Sequence, residues 1–322
     1  MKYAKIIATG AYLPEKTLTN VQLESLVDTS DEWIVERTGI KRRHIADDYE
    51  STASMSTLAA KKALCDAPID ANDLDLIIVA TCSPDKLFPS TACLVQAALN
   101  IERDIPAFDI SAACSGFIYA LSMANSMIRV GEIKHALVIG GEVMSRVIDW
   151  KDRKTCVLFG DGAGAVILSA SDDPGIYSTH LHAQGQYKDI LYLPNNLAAA
   201  EQDSHQSPYI HMQGNDVFRF AVKSLGDVVM ETLQSHDIKT SDISWLVPHQ
   251  ANLRIIKATA KKLNMSLDQV ILTVAEHGNT SAASIPLALD TGIRDGRIKS
   301  GELVLMEAIG GGMTWGAALV RM

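Results

Sequence analysis

The stretch FDISAACSGFIYALSMANSMI, residues 108–128, joins a short apolar strand to a helix through a run of small residues. Its helical part is apolar nearly all round, which is typical of a helix buried between other layers of structure. Cys114 stands where this helix begins, so the pattern predicts a thiol at a buried helix N-terminus. Other runs rich in Val, Ile and Leu predict buried strands at residues 74–80, 105–110, 136–139, 163–168, 246–247 and 303–307.

Helical patterns separate these strands. The clearest one places apolar residues at spacings of three and four, on one helix face: Phe218, Val222, Leu225, Val229 and Leu233. The N-terminal MKYAKIIATGAYLP predicts the first strand. Alternation of buried strands with helices predicts an α/β protein with mostly parallel sheets.

The two halves of the chain resemble each other. DLDLIIVATC (73–82) corresponds to DISWLVPHQ (242–250), and HALVIGGE (135–142) with FGDGAGAVIL (159–168) corresponds to GELVLMEAIGGGMTWGAALV (301–320). Buried strands look alike in general, but the order of the pieces favours a duplication. The turn-forming SASDDPG at 169–175 separates the halves and predicts domains at residues 1–172 and 173–322.

Composition and charge exclude several classes of protein. The 322 residues are 47% hydrophobic, 21% charged and 6% aromatic, which is typical of a globular protein with an aliphatic core and excludes disorder and collagen-like repeats. The net charge of −9 argues against a nucleic-acid or anionic-membrane surface, because these need a basic footprint. The N-terminus is too short and polar for a signal or spanning helix, so a cytoplasmic protein is expected.

Cysteine and histidine usage predicts thiol chemistry rather than a metal site. The five Cys are widely spaced and form no C-x-x-C pair, and the nine His are scattered. Neither a disulfide framework nor a zinc site is therefore predicted, and no metal is expected. Most of the thiols should be buried and structural, while one of them could be reactive.

Three residues in similar strand-end settings are candidates for catalysis. The backbone N–H groups and the dipole at a helix N-terminus favour a thiolate, so Cys114 is the candidate nucleophile. His249 in LVPHQANLR follows a predicted strand, where catalytic groups commonly sit, and Asn279 in EHGNTSAASIP precedes a run of small residues. A His or Asn in a loop is more often a turn or cap residue. Their occurrence together with Cys114 in similar settings favours one site.

Five motifs along the chain resemble those of a known enzyme family. SAACSGF (111–117), FGDGAGAV (159–166), PHQANLRI (248–255), HGNTSAAS (277–284) and GGGMTWGAALVRM (310–322) resemble motifs of the 3-oxoacyl-[acyl-carrier-protein] synthase III family, in the family's order and over nearly the whole chain. The resemblance implies the thiolase fold, in which two similar α/β halves form a five-layered αβαβα sandwich. It also implies a homodimer, and it implies no cofactor, because the CoA thioester is a substrate.

The resemblance further implies a reaction. Cys114 takes an acyl group from acyl-CoA, usually acetyl-CoA, and malonyl-acyl carrier protein then loses carbon dioxide and condenses with it to a 3-oxoacyl thioester. His249 and Asn279 would donate hydrogen bonds to the thioester oxygen on which negative charge develops. The backbone N–H groups of Cys114 and Gly311 would form the oxyanion hole. Asn279 points to a decarboxylating enzyme, since elongating relatives carry a second His there and thiolases a second Cys.

Binding residues follow from the same resemblance. CoA adenine would lie between Trp33 and Arg153, and Arg37 would contact phosphate. Gly214 and Asn252 would line the pantetheine tunnel, and Arg254 would also contact this substrate. Phe88 matches the residue that reaches the acyl pocket of the partner subunit. Without the resemblance, the Trp reads as a core anchor and the Arg side chains as solvated charges.

The helix that begins near Asn252 has an apolar and a basic face. A basic face on an acidic protein suits an acidic partner, although a charged face is ordinarily only the solvated side of a helix. In the family this region receives the acidic carrier protein. The predicted docking residues are Arg219, Gln250, Ala251, Asn252, Leu253, Arg254, Lys257, Lys261 and Lys262.

Other functions compete with this hypothesis. The order Cys, His, Asn is also that of papain-like proteases, and the spacing 249 − 114 = 135 lies in their range of about 130–150 residues. Their C-G-[SA]-C-[WY] signature is absent, however, and a duplication has no place there. A specialised condensing enzyme of secondary metabolism and a silent acyl-binding subunit are the remaining alternatives, the latter disfavoured by the intact Cys, His and Asn. Residues 191–209 depart most from the family and are expected to shape the acyl pocket.

Overall fold

A computed structural model describes residues 2–195 and 207–322. Its strands are β1 Tyr3–Tyr12, β2 Thr17–Thr19, β3 Arg42–His44, β4 Leu76–Ala80, β5 Ala107–Ile110, β6 His135–Glu142, β7 Gly162–Ser171, β8 Ile176–Ala183, β9 Leu191–Tyr192, β10 His211–Met212, β11 Trp245–Pro248, β12 Leu303–Gly310 and β13 Thr314–Arg321. Its helices are α1 Asn20–Leu23, α2 Asp31–Thr38, α3 Thr52–Asp66, α4 Thr91–Ala98, α5 Gly116–Val130, α6 Gly214–Gln234, α7 Leu253–Lys262, α8 Val274–His277 and α9 Ser284–Arg294. Each strand predicted from an apolar run is present, and the predicted helix at 218–233 lies within α6.

Two sheets carry the fold. In the first the strand order is β1-β7-β6-β4-β5, and in the second it is β11-β12-β13-β8. The pairs β4–β5, β4–β6 and β11–β12 are parallel, whereas β1–β7, β6–β7, β12–β13 and β8–β13 are antiparallel. The prediction of mostly parallel sheets is therefore wrong. A tight connection such as 311–313 between β12 and β13 can only join antiparallel neighbours, and strand composition does not encode that direction.

Helices cover both sheets and separate them. On its outer face the first sheet packs against α3 and α4, and the second sheet packs against α6, which in turn packs on α7. Between the sheets lie α5 and α9. The result is the five-layered αβαβα arrangement that the sequence resemblance implies. The first sheet uses residues 3–171 and the second 176–321, so the change of sheet coincides with the boundary that we propose at residue 172.

The central layer is held by an apolar cluster that includes Phe117 and Leu121 of α5 and Leu289 of α9. Each such side chain stabilises the fold by about 1.5–3 kcal/mol when it is fully buried. Gly140 of β6 lets the segment that precedes α9 approach the first sheet, because a Cβ on Gly140 would lie 2.2 Å from the carbonyl oxygen of Ala282. The fold therefore fixes α5 and residues 279–284 close together. No helix of the described residues has the length and apolar content needed to cross a bilayer.

Candidate active site

Cys114 lies in a 3-10 turn, Ala113–Ser115, that runs directly into α5. The turn begins with a left-handed residue, Ala113, whose φ is 45°. Cys114 is 8% exposed. Its thiol therefore sits at a buried helix N-terminus, the position that the sequence predicts.

The protonation state of this thiol differs from the sequence expectation of a thiolate. Burial, with a smaller contribution from the nearby carboxyl of Glu142, raises the pKa of Cys114 to about 12, although the neighbouring Ser281 side chain and the backbone N–H of Cys114 act to lower it. Loss of solvation penalises the charged sulfur more than these donors stabilise it. Without substrate, Cys114 is consequently a neutral thiol at physiological pH.

His249 directly follows Pro248, the last residue of β11. Its backbone N–H donates to the carbonyl oxygen of Glu307 at 2.7 Å, which anchors it to β12. The ring Nδ1 lies 2.6 Å from the hydroxyl oxygen of Ser284. The residue is 3% exposed, and burial lowers the pKa of its imidazole to about 3. His249 is thus a neutral imidazole whose Nδ1 is already occupied.

Asn279 is 6% exposed and is held through both its backbone and its side chain. Its backbone N–H donates to the carbonyl oxygen of Leu158 at 2.9 Å. Its side-chain Oδ1 accepts the backbone N–H of Ser281, also at 2.9 Å. Because the amide oxygen is engaged, the Nδ2 donor is the end of the side chain left for a ligand.

The three predicted catalytic residues line a single cavity of about 100 Å³. Most of the remaining wall is apolar and comes from Leu158, Phe159, Leu191, Met212, Val217, Phe218, Ile255, Ile309 and Met313. Residues 196–206 of the segment expected to shape the acyl pocket lie outside the described residues. An apolar wall excludes water, which makes each hydrogen bond inside the cavity stronger than it would be in solution.

A glycine run packs against the nucleophile. A Cβ on Gly310 would lie 2.5 Å from the backbone nitrogen of Cys114, so this approach requires glycine. The Thr314 hydroxyl fastens the two segments together, since it lies 3.0 Å from the carbonyl oxygen of Ala112 and 3.1 Å from that of Gly311. Gly311, the predicted oxyanion-hole residue, is the next residue along, and Gly310 makes the direct approach to Cys114.

Two buried carboxyl groups near the site were not assigned a role by sequence reasoning. Glu142 accepts hydrogen bonds from Ser83 Oγ at 2.5 Å, from Ser281 Oγ at 3.0 Å and from Cys82 Sγ at 3.2 Å. Burial raises the pKa of Glu142 while these donors lower it. The sequence signal was a Glu at the end of an otherwise apolar buried strand.

Glu307 is the second buried carboxyl. It lies on β12 opposite Pro248, the residue before His249, and its Oε2 has no hydrogen-bond partner in the described part of the chain. Burial raises the pKa of Glu307 to about 8. This side chain is therefore largely protonated at neutral pH.

The residues predicted to bind the CoA nucleotide come together at the surface. The guanidinium carbons of Arg37 and Arg153 lie 4.9 Å and 5.4 Å from the centroid of the Trp33 ring. Arg153 also donates to the backbone oxygen of Asp28 at 2.8 Å. Trp33 is also partly buried against an apolar cluster, so its alternative role as a core anchor holds in part. Gly214 and Asn252, predicted for the pantetheine, line the cavity itself.

The predicted docking face is mostly, but not wholly, at the surface. Arg254, Lys257, Lys261, Lys262 and Arg219 are exposed. Arg219 pairs with Asp216 and Lys262 pairs with Asp227. The Arg254 guanidinium lies 5.2 Å from the ring centroid of Phe218, which lines the cavity, so the face reaches the cavity entrance. Sequence reasoning missed the exposed Lys223, one turn along α6 from Arg219.

The prediction that Gln250 belongs to a docking surface is wrong. Gln250 is 1% exposed, and its amide nitrogen donates to the carbonyl oxygens of Pro248 and Ile271. Its Oε1 accepts the backbone N–H groups of Thr273 and Val274. A buried polar side chain must satisfy its hydrogen bonds, and here that requirement ties β11 to the segment before α8.

Phe88 is 84% exposed and does not line the cavity of its own chain. Among the described residues, no group of three or more His, Cys, Asp or Glu is placed to hold a metal ion.

The chain is similar to known proteins over its whole length. The family profile described as 3-Oxoacyl-[acyl-carrier-protein (ACP)] synthase III matches residues 108–185, and the profile for its C-terminal part matches residues 233–322. The beta-ketoacyl-[acyl-carrier-protein] synthase III of Methylococcus capsulatus is 57% identical over 320 residues, 99% of each chain. That of Thiobacillus denitrificans is 55% identical over 321 residues, 100% of each chain.

A solved structure is also similar to this chain. The 3-oxoacyl-[acyl-carrier-protein] synthase III of Aquifex aeolicus superposes with a TM-score of 0.93 at 51% sequence identity, over 99% of this chain and 100% of the other. Both the sequence and the fold are therefore shared over the full length, and the chain belongs to the 3-oxoacyl-[acyl-carrier-protein] synthase III family.

Proposed function

We propose that this protein is the condensing enzyme that starts fatty-acid chains, with Cys114 as the residue that carries the acyl group. The observation that supports this most strongly is the cavity shared by Cys114, His249 and Asn279. In the first half-reaction the Cys114 sulfur attacks the carbonyl carbon of acyl-CoA and the bond from that carbon to the CoA sulfur breaks. The thiol proton leaves with CoA as its free thiol, so no cofactor is consumed.

In the second half-reaction malonyl-carrier protein loses carbon dioxide, and the electron pair of the broken bond moves into the thioester, giving an enolate. Its carbon attacks the acyl group on Cys114, the carbon–sulfur bond to Cys114 breaks, and solvent returns one proton to the thiolate. His249 and Asn279 stabilise the enolate oxygen as neutral hydrogen-bond donors. One such donor is worth about 3–4 kcal/mol of barrier. Since His249 has a pKa of about 3, it does not act as an acid that would quench the carbanion.

Coenzyme A is proposed to reach the cavity from the surface that carries Trp33. The guanidinium carbon of Arg153 lies 5.4 Å from the centroid of the Trp33 ring, over the face that the adenine would take. We propose that the adenine enters between these two side chains, that Arg37 contacts a phosphate, and that the pantetheine passes Gly214. The resemblance to the family favours a short primer such as acetyl.

The protein partners are proposed from the surface. Arg254, Lys257 and Lys261 are exposed cations on α7 and suit an acidic carrier protein. A large aromatic side chain as exposed as Phe88 indicates a contact with another chain, and we propose that it enters the acyl pocket of a second copy in a homodimer. The acidic net charge and this class of substrate favour the cytoplasm as the site of action.

A defined assay tests the proposed function. Purified protein is incubated with acetyl-CoA and malonyl-carrier protein, and the released CoA, carbon dioxide and 3-oxoacyl-carrier product are quantified. The proposal predicts equal amounts of all three from the wild type, and neither CoA nor 3-oxoacyl-carrier product from Cys114→Ala. The matched control is Cys156→Ala, which removes another fully buried thiol and should keep the activity. Product from Cys114→Ala, or none from the wild type, would contradict the proposal.

A further inference from the structure

Ser284 is the first residue of α9, and its side chain points at the base of the His249 ring. Its hydroxyl oxygen lies 2.6 Å from Nδ1 of His249 and accepts the backbone N–H of Gln250 at 3.3 Å. Ser284 is almost completely buried, so these two contacts occur away from bulk water. A hydroxyl has one proton to donate and two lone pairs with which to accept.

The direction of the short contact follows from these partners. The Gln250 N–H occupies one lone pair of the hydroxyl oxygen. Within residues 2–195 and 207–322, Nδ1 is the only acceptor placed to receive the Ser284 proton. If Nδ1 instead carried a proton, that proton would point at Ser284 and the serine proton would be left without an acceptor in a buried site, which is unfavourable.

We propose that Ser284 is a positioning residue that fixes the tautomer of His249 by donating its hydroxyl proton to Nδ1. This inference rests on the proposed role of His249 as a donor in the decarboxylation step. A neutral imidazole carries a single ring proton, so an Nδ1 that accepts places that proton on Nε2. His249 lines the cavity, and Nε2 is the ring nitrogen turned away from Ser284. The proton is therefore held on the nitrogen that faces the enolate oxygen.

One short segment, residues 279–284, orients the side chains of both proposed hydrogen-bond donors, His249 and Asn279. Ser281 holds the Oδ1 of Asn279 through its backbone N–H at 2.9 Å, and Ser284 holds Nδ1 of His249 at 2.6 Å. Both contacts engage the accepting end of the side chain and leave the donating end for the cavity. Residues 279–284 thus orient both hydrogen-bond donors before substrate arrives, and such preorganisation is what makes donors effective in catalysis.

The ring tautomer can be measured directly. In protein labelled with nitrogen-15 at histidine, couplings between ring nitrogens and ring protons show which nitrogen carries the proton, and His249→Gln assigns the signal. The expected result is a proton on Nε2 in the wild type and a mixture of tautomers in Ser284→Ala. A wild-type ring protonated on Nδ1 would overturn the proposal, whatever the variants do.

Kinetics provide the second readout. Ser284→Ala should lower the kcat of condensation by about tenfold or more, with little change in the KM for malonyl-carrier protein. The loss should not exceed the roughly 10²–10³-fold decrease that follows when one oxyanion donor is removed altogether. Ser284→Thr retains the hydroxyl and should recover most of the rate. The matched control is Thr291→Ala on the same helix, whose hydroxyl donates to the carbonyl oxygen of Leu287 at 2.8 Å and not to His249.

The outcomes separate this inference from the proposed function. If the wild type condenses but Ser284→Ala keeps both its kcat and its tautomer, the positioning role is wrong and the proposed function stands. If the wild type forms no product, the proposed function fails, and the wild-type tautomer still decides whether Ser284 directs the ring. If Ser284→Ala does not fold, the wild-type tautomer and Ser284→Thr provide the test.

Discussion

The buried carboxyl of Glu307 should make the protein less stable as pH rises. Burial raises the pKa of this group from its ordinary 4.5 to about 8 in the folded chain. Between these values the unfolded chain has released the proton while the folded chain still holds it. Fewer protons are then bound in the unfolded state, so the free energy of unfolding decreases as pH increases, and the stabilisation present below pH 4.5 is lost up to about pH 8.

The size of the effect follows from the shift. One pKa unit corresponds to about 1.4 kcal/mol, so Glu307 should lower the free energy of unfolding by about 3–4 kcal/mol between pH 5 and pH 8. Glu307→Gln keeps the shape of the side chain but cannot ionise. This part of the pH dependence should therefore disappear in the variant, while the contributions of all other groups cancel when the two proteins are compared.

Urea unfolding followed by tryptophan fluorescence at pH 5 and pH 8 measures this difference, at one protein concentration and one salt concentration. Glu132→Gln serves as the control, since Glu132 is an exposed glutamate and its replacement should keep the wild-type pH dependence. If the wild type and Glu307→Gln lose the same stability between the two pH values, the carboxyl is not held protonated and the reasoning fails.

Three further predictions concern the proposed reaction. Because burial raises the pKa of Cys114 to about 12, its alkylation by iodoacetamide, read by intact mass, should accelerate about tenfold per pH unit from pH 7 to 9, and a plateau near neutrality would contradict this. Trp33→Ala should raise the KM for acyl-CoA by about tenfold and leave the KM for malonyl-carrier protein unchanged, because the contact of an aromatic ring with a cation is worth roughly 1–2 kcal/mol when it is desolvated. Steady-state kinetics measure both KM values, and a change in both would count against the adenine site. Arg254→Glu combined with Lys261→Glu should slow carrier-protein turnover in a salt-dependent way while acylation by acyl-CoA stays largely intact, and equal losses in both half-reactions would argue against docking on α7.

Local sequence patterns predicted the helices and strands well, because the buried face of each one places apolar residues at regular spacings in the sequence. The helix face of Phe218 to Leu233 lies within α6, and Asn252 caps α7 by accepting the Ile255 backbone N–H. Strand direction left no such trace, so the antiparallel majority was missed. Cys114 and His249 could be proposed because each follows a predicted apolar strand, and Asn279 because it precedes a run of small residues at a helix start. That they meet in one cavity depends on the packing of the Cys114 segment against two segments that lie more than 100 residues later in the chain.

Residues whose role depends on distant partners could not be found from local pattern. In the sequence, Ser284 is one of several small residues at the start of a helix. It lies 35 residues after His249, and only the fold brings the two side chains into contact. From the sequence, Gln250 is expected to be an exposed polar residue beside a basic helix. In the structure its side chain is buried and makes hydrogen bonds with four backbone groups. Glu142 and Glu307 each lie in an otherwise largely apolar strand, but only the fold shows that both side chains are buried.

Cys114 is proposed to carry the acyl group during the reaction. Intact mass spectrometry of the protein after incubation with a series of acyl-CoA donors, alone and then with malonyl-carrier protein, tests this most directly. We expect one acyl adduct per chain, located on Cys114, absent from Cys114→Ala and removed when the malonyl-carrier protein is added. An unmodified protein with every donor, or an adduct that persists in Cys114→Ala, would contradict it.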